Sequence, residues 1–270
     1  MDAYQAIVLG IVQGLTEFLP VSSTGHLRIV PAFLGWEDPG SAFTAVTQLG
    51  TLAAVLIYFR ADLWQIAKAW LRSLSARRWP EDHDARLGWY IILGTIPIAV
   101  LGLVFKDPIE TKFRNLELIG TTLIVFGFVM LAAEAVSRRD RPLREITRRD
   151  GLLIGLAQAL ALVPGVSRSG ATISAGLFLN FDRAAAARYS FLLSVPAVVL
   201  SGLFELRHAG EGNLPIGATI IATLLAFVVG YASIALLLTY LARHTIGVFV
   251  AYRVVLGVMV ISLAAGGVIS

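Results

Sequence analysis

The sequence contains no cysteine and little charge. Because none of the 270 residues is cysteine, disulfides, thiolate metal sites and cysteine nucleophiles are excluded. Only 15% of the residues are charged, 57% are hydrophobic, and the mean hydropathy is +0.76. This composition is too apolar for a soluble domain, so we predict an integral membrane protein. The start of the chain lacks a basic segment and a small-residue cleavage site, and we therefore expect no removed signal peptide.

Common enzyme motifs are absent as well. The sequence shows no Walker loop, no zinc-ligand pattern and no dinucleotide-binding fingerprint. Residues 23–26 mimic the Ser-x-Gly-His stretch of histidine-nucleophile lipid phosphatases, but that class needs a second histidine with a downstream aspartate. The other histidines lie in or near loops without such a partner, so we set this class aside: His83, His208 and His244. The net charge of +4 comes from basic loops beside apolar runs, so nucleic acid is not an expected partner.

Long charge-free runs predict six membrane crossings, since a crossing needs roughly 17 to 25 residues. The predicted spans are 43–60, 87–105, 117–134, 188–206, 215–241 and 247–268. The loops at 60–86 and 136–149 are rich in arginine and lysine, which keeps such loops cytoplasmic. Two crossings separate these loops, so both can lie inside, and this orientation places both termini outside. The front part of the first loop, through Leu71, is expected to form an interfacial helix.

Near its start the chain carries two half-length apolar helices with a polar interruption at 20–25. Gln13 and Glu17 are four residues apart and therefore lie on one helix face. Pro20 disfavours continuation of the first helix. Neither half is long enough to cross a membrane alone, so we predict a re-entrant hairpin over about 3–34. Hydroxyl and backbone N–H groups at a broken helix start form a natural anion pocket.

A second copy of this pattern lies 145 residues further along the chain. The offset aligns Gln13 with Gln158, Ser22 with Ser167, Thr24 with Ser169 and Gly25 with Gly170. The second copy predicts another re-entrant hairpin, over about 151–182. It has Leu162 where the first copy has Glu17, and it adds Arg168. One half therefore supplies a carboxylate and the other a guanidinium.

The two copies predict the architecture of the whole chain. Each half has one hairpin and three crossings, and because three is odd the second half is inserted upside down. We predict an all-α integral membrane protein with two inverted-topology repeats, 1–135 and 151–270, joined by a basic cytoplasmic linker at 136–150. Inverted repeats place their broken helices near the midplane, where the two halves face each other.

Ionisable side chains within these breaks are the candidate functional residues, because charge at membrane depth is costly. Glu17 suits a metal ligand or proton-handling group, or else a structural partner for an arginine. His26 titrates near neutral pH, although a core histidine would only bind backbone. The planar fork of Arg168 suits bidentate phosphate binding. Arg253, near the start of the last span, is as compatible with snorkelling to the cytoplasmic face as with a site role.

The uncharged polar residues leave more alternatives open. Ser22, Ser23 and Thr24 can serve as N-caps, and at least one is expected to do so, but three hydroxyls exceed what capping requires. Gln13 can donate or accept a hydrogen bond but cannot act as a base. It is equally compatible with helix packing.

The two breaks resemble the signatures of the undecaprenyl-diphosphate phosphatase (bacitracin-resistance protein) family. The matching segments are Gln-Gly-Leu-Thr-Glu-Phe-Leu-Pro-Val-Ser-Ser-Thr-Gly-His at 13–26 and Pro-Gly-Val-Ser-Arg-Ser-Gly-Ala-Thr at 164–172, with further similarity at 191–196 and 251–253. The resemblance covers essentially the whole chain. It implies hydrolysis of undecaprenyl (polyprenyl) diphosphate to the monophosphate and inorganic phosphate on the outer side of the bacterial inner membrane. The monophosphate would be reused in cell-wall synthesis, with Mg²⁺ or Ca²⁺ as the cofactor.

The resemblance also implies roles for individual residues. The catalytic residues it implies are Glu17, Ser23, His26 and Arg168. The pyrophosphate-binding residues are Ser22, Thr24, Gly25, Ser167, Ser169, Gly170 and Thr172. Glu17 and Gln13 would hold the metal, although some family members have glutamate where this chain has Gln13. We predict that Ser23 attacks the terminal phosphorus with His26 as base, and direct attack by water is the competing route.

A transporter for a prenyl phosphate or another anion is the alternative function. Inverted repeats with broken helices support it equally well. The added carboxylate favours an enzyme, since a carrier of anions needs cationic and dipolar ligands. The partners expected are the lipid substrate and membrane lipids; the sequence leaves the oligomeric state open, a homodimer included.

Overall fold

The computed structural model describes residues 1–75, 79–110, 112–208 and 216–269, and only the backbone of 41, 107, 110, 112 and 203–208. The first half contains α1 (Ala3–Phe18), α2 (Ser23–Leu34), α3 (Gly40–Tyr58), α4 (Arg60–Ser73), α5 (His83–Val104), α6 (Lys106–Glu110) and α7 (Leu116–Val136). The second half contains α8 (Arg148–Ala159), α9 (Arg168–Phe178), α10 (Arg183–His208), α11 (Ile216–Leu241) and α12 (Gly247–Ala265). Short 3₁₀ turns occupy Lys112–Arg114, Leu143–Glu145 and Leu160–Leu162.

The described residues form helices and no strand, and the prediction of an all-α membrane protein is confirmed. Five of the described helices are long and apolar enough to cross a membrane: α5, α7, α10, α11 and α12. Helices α3 and α4, bent by 79° where they meet, form a sixth candidate when taken together. Two basic residues of the loop between α4 and α5, Arg77 and Arg78, lie outside the described residues, as does the segment 209–215.

Helix α4 is the segment for which the sequence predicts an interfacial position. It exposes Trp64 and Leu71, which are 63% and 58% accessible, and the Lys68 ammonium lies 4.9 Å from the Trp64 ring centroid. An exposed apolar surface beside basic side chains suits the membrane–water boundary. The sharp bend from α3 is compatible with that position, which stays a prediction.

The first broken helix is interrupted over a shorter stretch than the sequence indicates. Helix α1 ends at Phe18, and α2 already begins at Ser23 because the Ser22 hydroxyl caps its first turn. Helix α2 then continues through Pro31 to Leu34. We call residues 19–22 the first break.

The second broken helix begins slightly earlier than expected. Helix α8 starts at Arg148, three residues before the predicted hairpin, since Thr147 and Asp150 form a capping box. It ends at Ala159, and α9 starts at Arg168 with Ser167 as its N-cap. We call residues 160–167 the second break.

Helix packing joins the two halves. Helix α1 packs on α11 of the second half, and α8 packs on α5 of the first. Helices α7 and α12 cross at Gly120 and Gly257, where a Cβ on either glycine would meet the backbone oxygen of the other, at 3.0 and 2.7 Å. Such close backbone contact is typical of membrane helices. These pairings are compatible with two inverted repeats, and the division at 135 and 151 stays a prediction.

Candidate active site

The two breaks share an unusual backbone feature. Ser22 has φ 77° and Ser167 has φ 74°, a region that residues other than glycine rarely adopt. Both hydroxyls act as helix caps: Ser22 Oγ accepts from the N–H of Gly25 at 3.3 Å, and Ser167 Oγ accepts from that of Gly170 at 3.1 Å. The expectation that at least one of Ser22, Ser23 and Thr24 is an N-cap is therefore confirmed by Ser22, and Ser167 has the same function in the second break. Strained backbone that the surrounding structure maintains is a marker of a functional region.

The breaks also contact each other directly. Ser22 Oγ accepts a second hydrogen bond from the Gly165 N–H at 3.1 Å, and Ser169 Oγ donates to the Leu19 carbonyl at 3.1 Å. Gly165 has φ 92°, and a Cβ there would collide with Thr122 of α7. The Thr122 hydroxyl in turn donates to the Pro164 carbonyl at 2.7 Å. Only glycine fits at position 165, because both the torsion angle and the neighbouring side chain exclude others.

Glu17 is the point at which polar groups of the two halves meet. Its Oε2 accepts from Ser23 Oγ at 2.6 Å and from Gln13 Nε2 at 3.0 Å. Its Oε1 accepts from Arg168 Nη2 at 3.2 Å. The Glu17 side chain is 7% exposed and that of Arg168 is 17% exposed. A carboxylate, a hydroxyl and a guanidinium thus share one partly accessible place between the hairpins.

His26 does not lie against Ser23. Its Nδ1 is 2.7 Å from the Ser22 carbonyl oxygen, which can only accept, and its Nε2 is 2.6 Å from the Tyr252 hydroxyl. In the neutral ring Nδ1 therefore donates and Nε2 accepts from Tyr252. The prediction that His26 is the base for Ser23 does not fit this geometry, because both ring nitrogens have other partners and Ser23 donates to Glu17.

The remaining hydroxyls of the predicted site mostly brace the structure. Thr172 is fully buried, donates to the Arg168 carbonyl at 2.8 Å and lies 2.6 Å from the Ser190 hydroxyl, so it fixes the first turn of α9 against α10. The hydroxyl oxygens of Ser167 and Ser169 lie 3.1 Å apart. Thr24 is half-buried, with its hydroxyl 3.4 Å from that of Ser22. Of the predicted binding hydroxyls, Thr24 is therefore the one with accessible surface.

Two residues of α12 complete the site, and the sequence assigns no definite role to either. Tyr252 binds His26, as described above. Arg253 is fully buried and donates to carbonyls in both breaks. The snorkelling alternative for Arg253 is therefore wrong. The sequence feature that indicates a site role for Arg253 is its charge within an apolar span.

Asp38 links the first hairpin to the start of α7. Its carboxylate accepts from Arg114 Nε at 2.9 Å and pairs with Arg28 at 3.4 Å. Burial raises the pKa of Asp38, but the hydrogen bonds and charge of Arg114 outweigh burial and hold that pKa below its usual value. Asp38 thus remains ionised and ties the loop after α2 to the residues before α7.

The site offers oxygen ligands to a divalent cation but no complete cage. No group of three His, Cys, Asp or Glu side chains that could hold a metal occurs among the described residues. Gln13 Oε1 is buried and has no hydrogen-bond partner, and it belongs to the amide beside Glu17. Mg²⁺ and Ca²⁺ prefer such oxygen ligands, and Mg²⁺ keeps several waters or phosphate oxygens. The donor set therefore fits a cation that takes its other ligands from a phosphate group and water.

Comparison with known proteins gives a consistent result. Residues 6–259 match the family model described as "Bacitracin resistance protein BacA". "Undecaprenyl-diphosphatase 2" of Frankia casuarinae (strain DSM 45818 / CECT 9043 / HFP020203 / CcI3) is 55% identical over 284 residues, covering 100% of this chain and 97% of the relative. "Undecaprenyl-diphosphatase" of Nocardioides sp. (strain ATCC BAA-499 / JS614) is 54% identical, covering 100% and 99%. "Undecaprenyl-diphosphatase" of Mycobacterium sp. (strain KMS) is 56% identical, covering 100% and 99%.

Proposed function

The chain belongs to the bacitracin resistance protein BacA family, and we propose that it hydrolyses undecaprenyl diphosphate to undecaprenyl phosphate and inorganic phosphate. The reaction returns the lipid carrier to cell-wall synthesis. The observation that supports this function best is the Glu17 carboxylate, which accepts hydrogen bonds from both Ser23 and Arg168. Phosphoryl transfer needs a positioned nucleophile and a cation at the phosphate oxygens, and these three residues supply both.

Arg168 binds the pyrophosphate. Only one of its terminal nitrogens is engaged by Glu17, and the guanidinium is partly exposed, so its other N–H groups can bind terminal phosphate oxygens. It also stands in the first turn of α9, where the helix dipole favours an anion. Thr24, in the first turn of α2, adds a partly accessible hydroxyl from the opposite half. Both helix starts therefore contribute to binding.

Ser23 attacks the terminal phosphorus, and Glu17 takes its proton. The Ser23 hydroxyl is 2.6 Å from Glu17 Oε2, within reach for proton transfer. A serine–phosphorus bond forms while the bond from that phosphorus to the bridging oxygen breaks, and undecaprenyl phosphate leaves as the anion. Glu17 passes the Ser23 proton to solvent. A water molecule then attacks the phosphoserine phosphorus and gives a proton to Glu17, the Ser23 Oγ–phosphorus bond breaks, and the serine oxygen takes that proton from Glu17 as phosphate leaves. Direct attack by water, with Glu17 as base and Ser23 orienting it, is the competing route.

Glu17 and Gln13 are the residues that would hold Mg²⁺ or Ca²⁺. The cation would withdraw charge from the phosphate oxygens. We infer a different role for His26 from the one predicted, since its ring joins the Ser22 carbonyl in the first break to Tyr252 in α12. His26 thus holds the first break in place.

Phosphate release from lipid pyrophosphate by the purified protein in detergent tests the function. Transport is impossible there, so release supports an enzyme, and its absence in the presence of Mg²⁺ and Ca²⁺ would favour the transporter alternative. Ser23→Ala separates the two routes. A phosphoenzyme trapped from the wild type and missing in this variant supports serine attack, whereas slow but measurable release by Ser23→Ala without any trapped intermediate supports water.

The chain is a multi-pass membrane protein, and we place it in the bacterial inner membrane with the site open to the outer side. The basic loops at 60–86 and 136–149 support a cytoplasmic position for those loops and an outer position for both termini. Because the chain has no native cysteine, single introduced thiols can map this orientation. A thiol at position 78, which lies outside the described residues, should be protected from an impermeant reagent added outside. A thiol at position 110 should react.

A further inference from the structure

Arg253 is a fully buried guanidinium in α12 whose hydrogen bonds all go to backbone carbonyls. It has 0% exposure. Its Nε donates to the Leu123 carbonyl in α7 at 3.2 Å, and its Nη1 donates to the Pro20 carbonyl in the first break at 3.1 Å. Its Nη2 donates to the carbonyls of Gly165 and Val166 in the second break at 2.7 and 3.1 Å. One side chain therefore holds both breaks and α7 at once.

These contacts set the direction of the peptide groups in the breaks. No cis peptide bond occurs in the described chain, and in a trans peptide the N–H points opposite to the carbonyl. Holding the Val166 carbonyl toward Arg253 turns the N–H of Ser167 away from α12. In the same manner, the hydrogen bond from Arg253 to the Pro20 carbonyl turns the N–H of the next residue away from α12. Arg253 thereby fixes the direction in which backbone N–H groups of each break point.

The arrangement is costly if it is only a means of packing helices. A buried charge loses its hydration, and among the described residues no carboxylate forms an ion pair with Arg253, whose partners are neutral carbonyls. A well-packed apolar side chain would avoid this cost. The guanidinium also stands close to α9, since its Nη1 is 3.4 Å from the place of a Cβ on Gly170. A cation immediately behind both breaks suits a site that receives an anion.

The neighbouring residue acts on the same region. Tyr252 binds His26 Nε2 at 2.6 Å, and the two rings stack with centroids 5.6 Å apart. His26 in turn holds the Ser22 carbonyl at 2.7 Å. Two consecutive residues of α12 thus hold the first break from two directions.

We propose that Arg253 is a positioning residue for the phosphatase reaction. It keeps the two breaks in the register at which Glu17 reaches both Ser23 and Arg168, and it does not itself touch the substrate. This inference rests on the proposed function of the breaks. A displacement of about 1 Å between reacting groups can lower a rate by about 10²-fold, so a loosened register should appear in kcat.

Arg253→Lys is the decisive variant. Lysine keeps the charge, but its single ammonium group cannot reach carbonyls in three segments as the guanidinium fork does. We expect kcat for phosphate release from lipid pyrophosphate in detergent to fall by about 10²-fold, with KM little changed because the phosphate-binding groups remain. In Arg253→Ala, added guanidinium ion should restore part of kcat and methylammonium should not. If the alanine variant does not fold, the lysine variant alone decides.

Arg141→Ala is the matched control. Arg141 also makes several hydrogen bonds, to the Asp150 carboxylate and to the carbonyls of Glu145 and Leu179. It lies beyond the far end of α9, about 16 Å along the helix from Arg168. This control should lower stability but leave kcat per folded molecule unchanged.

The inference is overturned if Arg253→Lys retains kcat, or loses no more kcat per folded molecule than Arg141→Ala. Wild-type phosphate release in the same assay would then still support the proposed function. A wild type that releases no phosphate would overturn the proposed function itself, and this inference with it.

Discussion

The first and second breaks have similar caps but different chemistry. Each begins its second helix with a serine at positive φ whose hydroxyl accepts from the N–H three residues later. At the positions around that cap, the first half carries Glu17, Ser23 and His26. The second half carries Leu162, Arg168 and Ala171 at the aligned positions. Both breaks lead into a helix start of similar geometry, and the residues that differ place the carboxylate in the first half and the guanidinium in the second.

This division has a physical consequence. The Glu17 carboxylate and the Arg168 guanidinium neutralise each other at 3.2 Å, although they are 151 residues apart in the chain. Neither charge has a comparable partner within its own break. The candidate site is therefore complete only when the two halves pack together.

Moving the carboxylate from the first half to the second should cause the largest loss of phosphate release. We expect Glu17→Leu combined with Leu162→Glu to lose about 10²–10⁴-fold in phosphate release, the usual contribution of a positioned base. Glu17→Gln should lose as much, because Glu17 is the only side chain among the described residues that hydrogen-bonds to the Ser23 hydroxyl. The measurement is phosphate release per folded molecule, with Leu162→Gln as the control expected to remain active. Activity in the swapped variant would show that the breaks are interchangeable.

Arg168→Lys tests whether the second break supplies a fork or only a charge. We expect a loss of about 10²-fold in kcat/KM, because the lysine ammonium cannot bind two phosphate oxygens as the planar guanidinium does. Arg188→Lys is the matched control, since Arg188 pairs with Asp62 at 2.6 Å on an exposed surface. Comparable turnover by wild type and Arg168→Lys would leave the second break with a purely electrostatic role.

Gly165→Ala should show that the second break is the more tightly enclosed. Position 165 aligns with Pro20 of the first break, but it has φ 92° and lies against Thr122. The positive φ alone costs about 1–3 kcal/mol in an alanine, and the collision adds to that. Thermal unfolding in detergent measures the loss. Gly217→Ala, at a helical position with open space around it, should not lower Tm.

Ser22→Ala and Ser167→Ala compare how much each of the two caps contributes to the free energy of unfolding. Loss of a cap costs about 1 kcal/mol. Ser22 also accepts from the Gly165 N–H, so its removal leaves a second buried donor unpaired and should cost about 1 kcal/mol more than removal of Ser167. The test is the difference in unfolding free energy between these two variants. Equal losses would mean that the contact between the breaks adds nothing.

Asp38→Asn should have the smallest effect, because it removes only partly exposed ion pairs, to Arg28 and Arg114, each worth at most about 1 kcal/mol. The folded-state pKa of Asp38 is lowered, so its contribution is present above the unfolded pKa, about 3.9, and is lost as the pH falls through the folded pKa. Wild type and variant should therefore differ by a constant amount above about pH 5 and converge in stronger acid. The measurement is Tm against pH. A difference that grows as the pH falls would contradict this assignment.

Much of the architecture follows from local features of the sequence. Charge-free runs set the apolar helices, Pro20 interrupts the first of them, and the serines before Gly25 and Gly170 cap the next. The offset of 145 residues places corresponding residues in the two breaks. The predicted limits of the broken helices were less accurate, because capping by Ser22 and by Thr147 depends on details of a single turn.

The sequence by itself determined the candidate residues for the chemistry, because charge within apolar helices stands out in any arrangement of them. Only the tertiary structure decided which atoms meet. His26 binds Tyr252 across 226 residues, and Arg253 turns inward to both breaks instead of toward the membrane surface. A hydrogen bond requires its atoms within a few tenths of an ångström of the right place. That placement comes from how α7, α9 and α12 pack around the breaks, which no local pattern specifies.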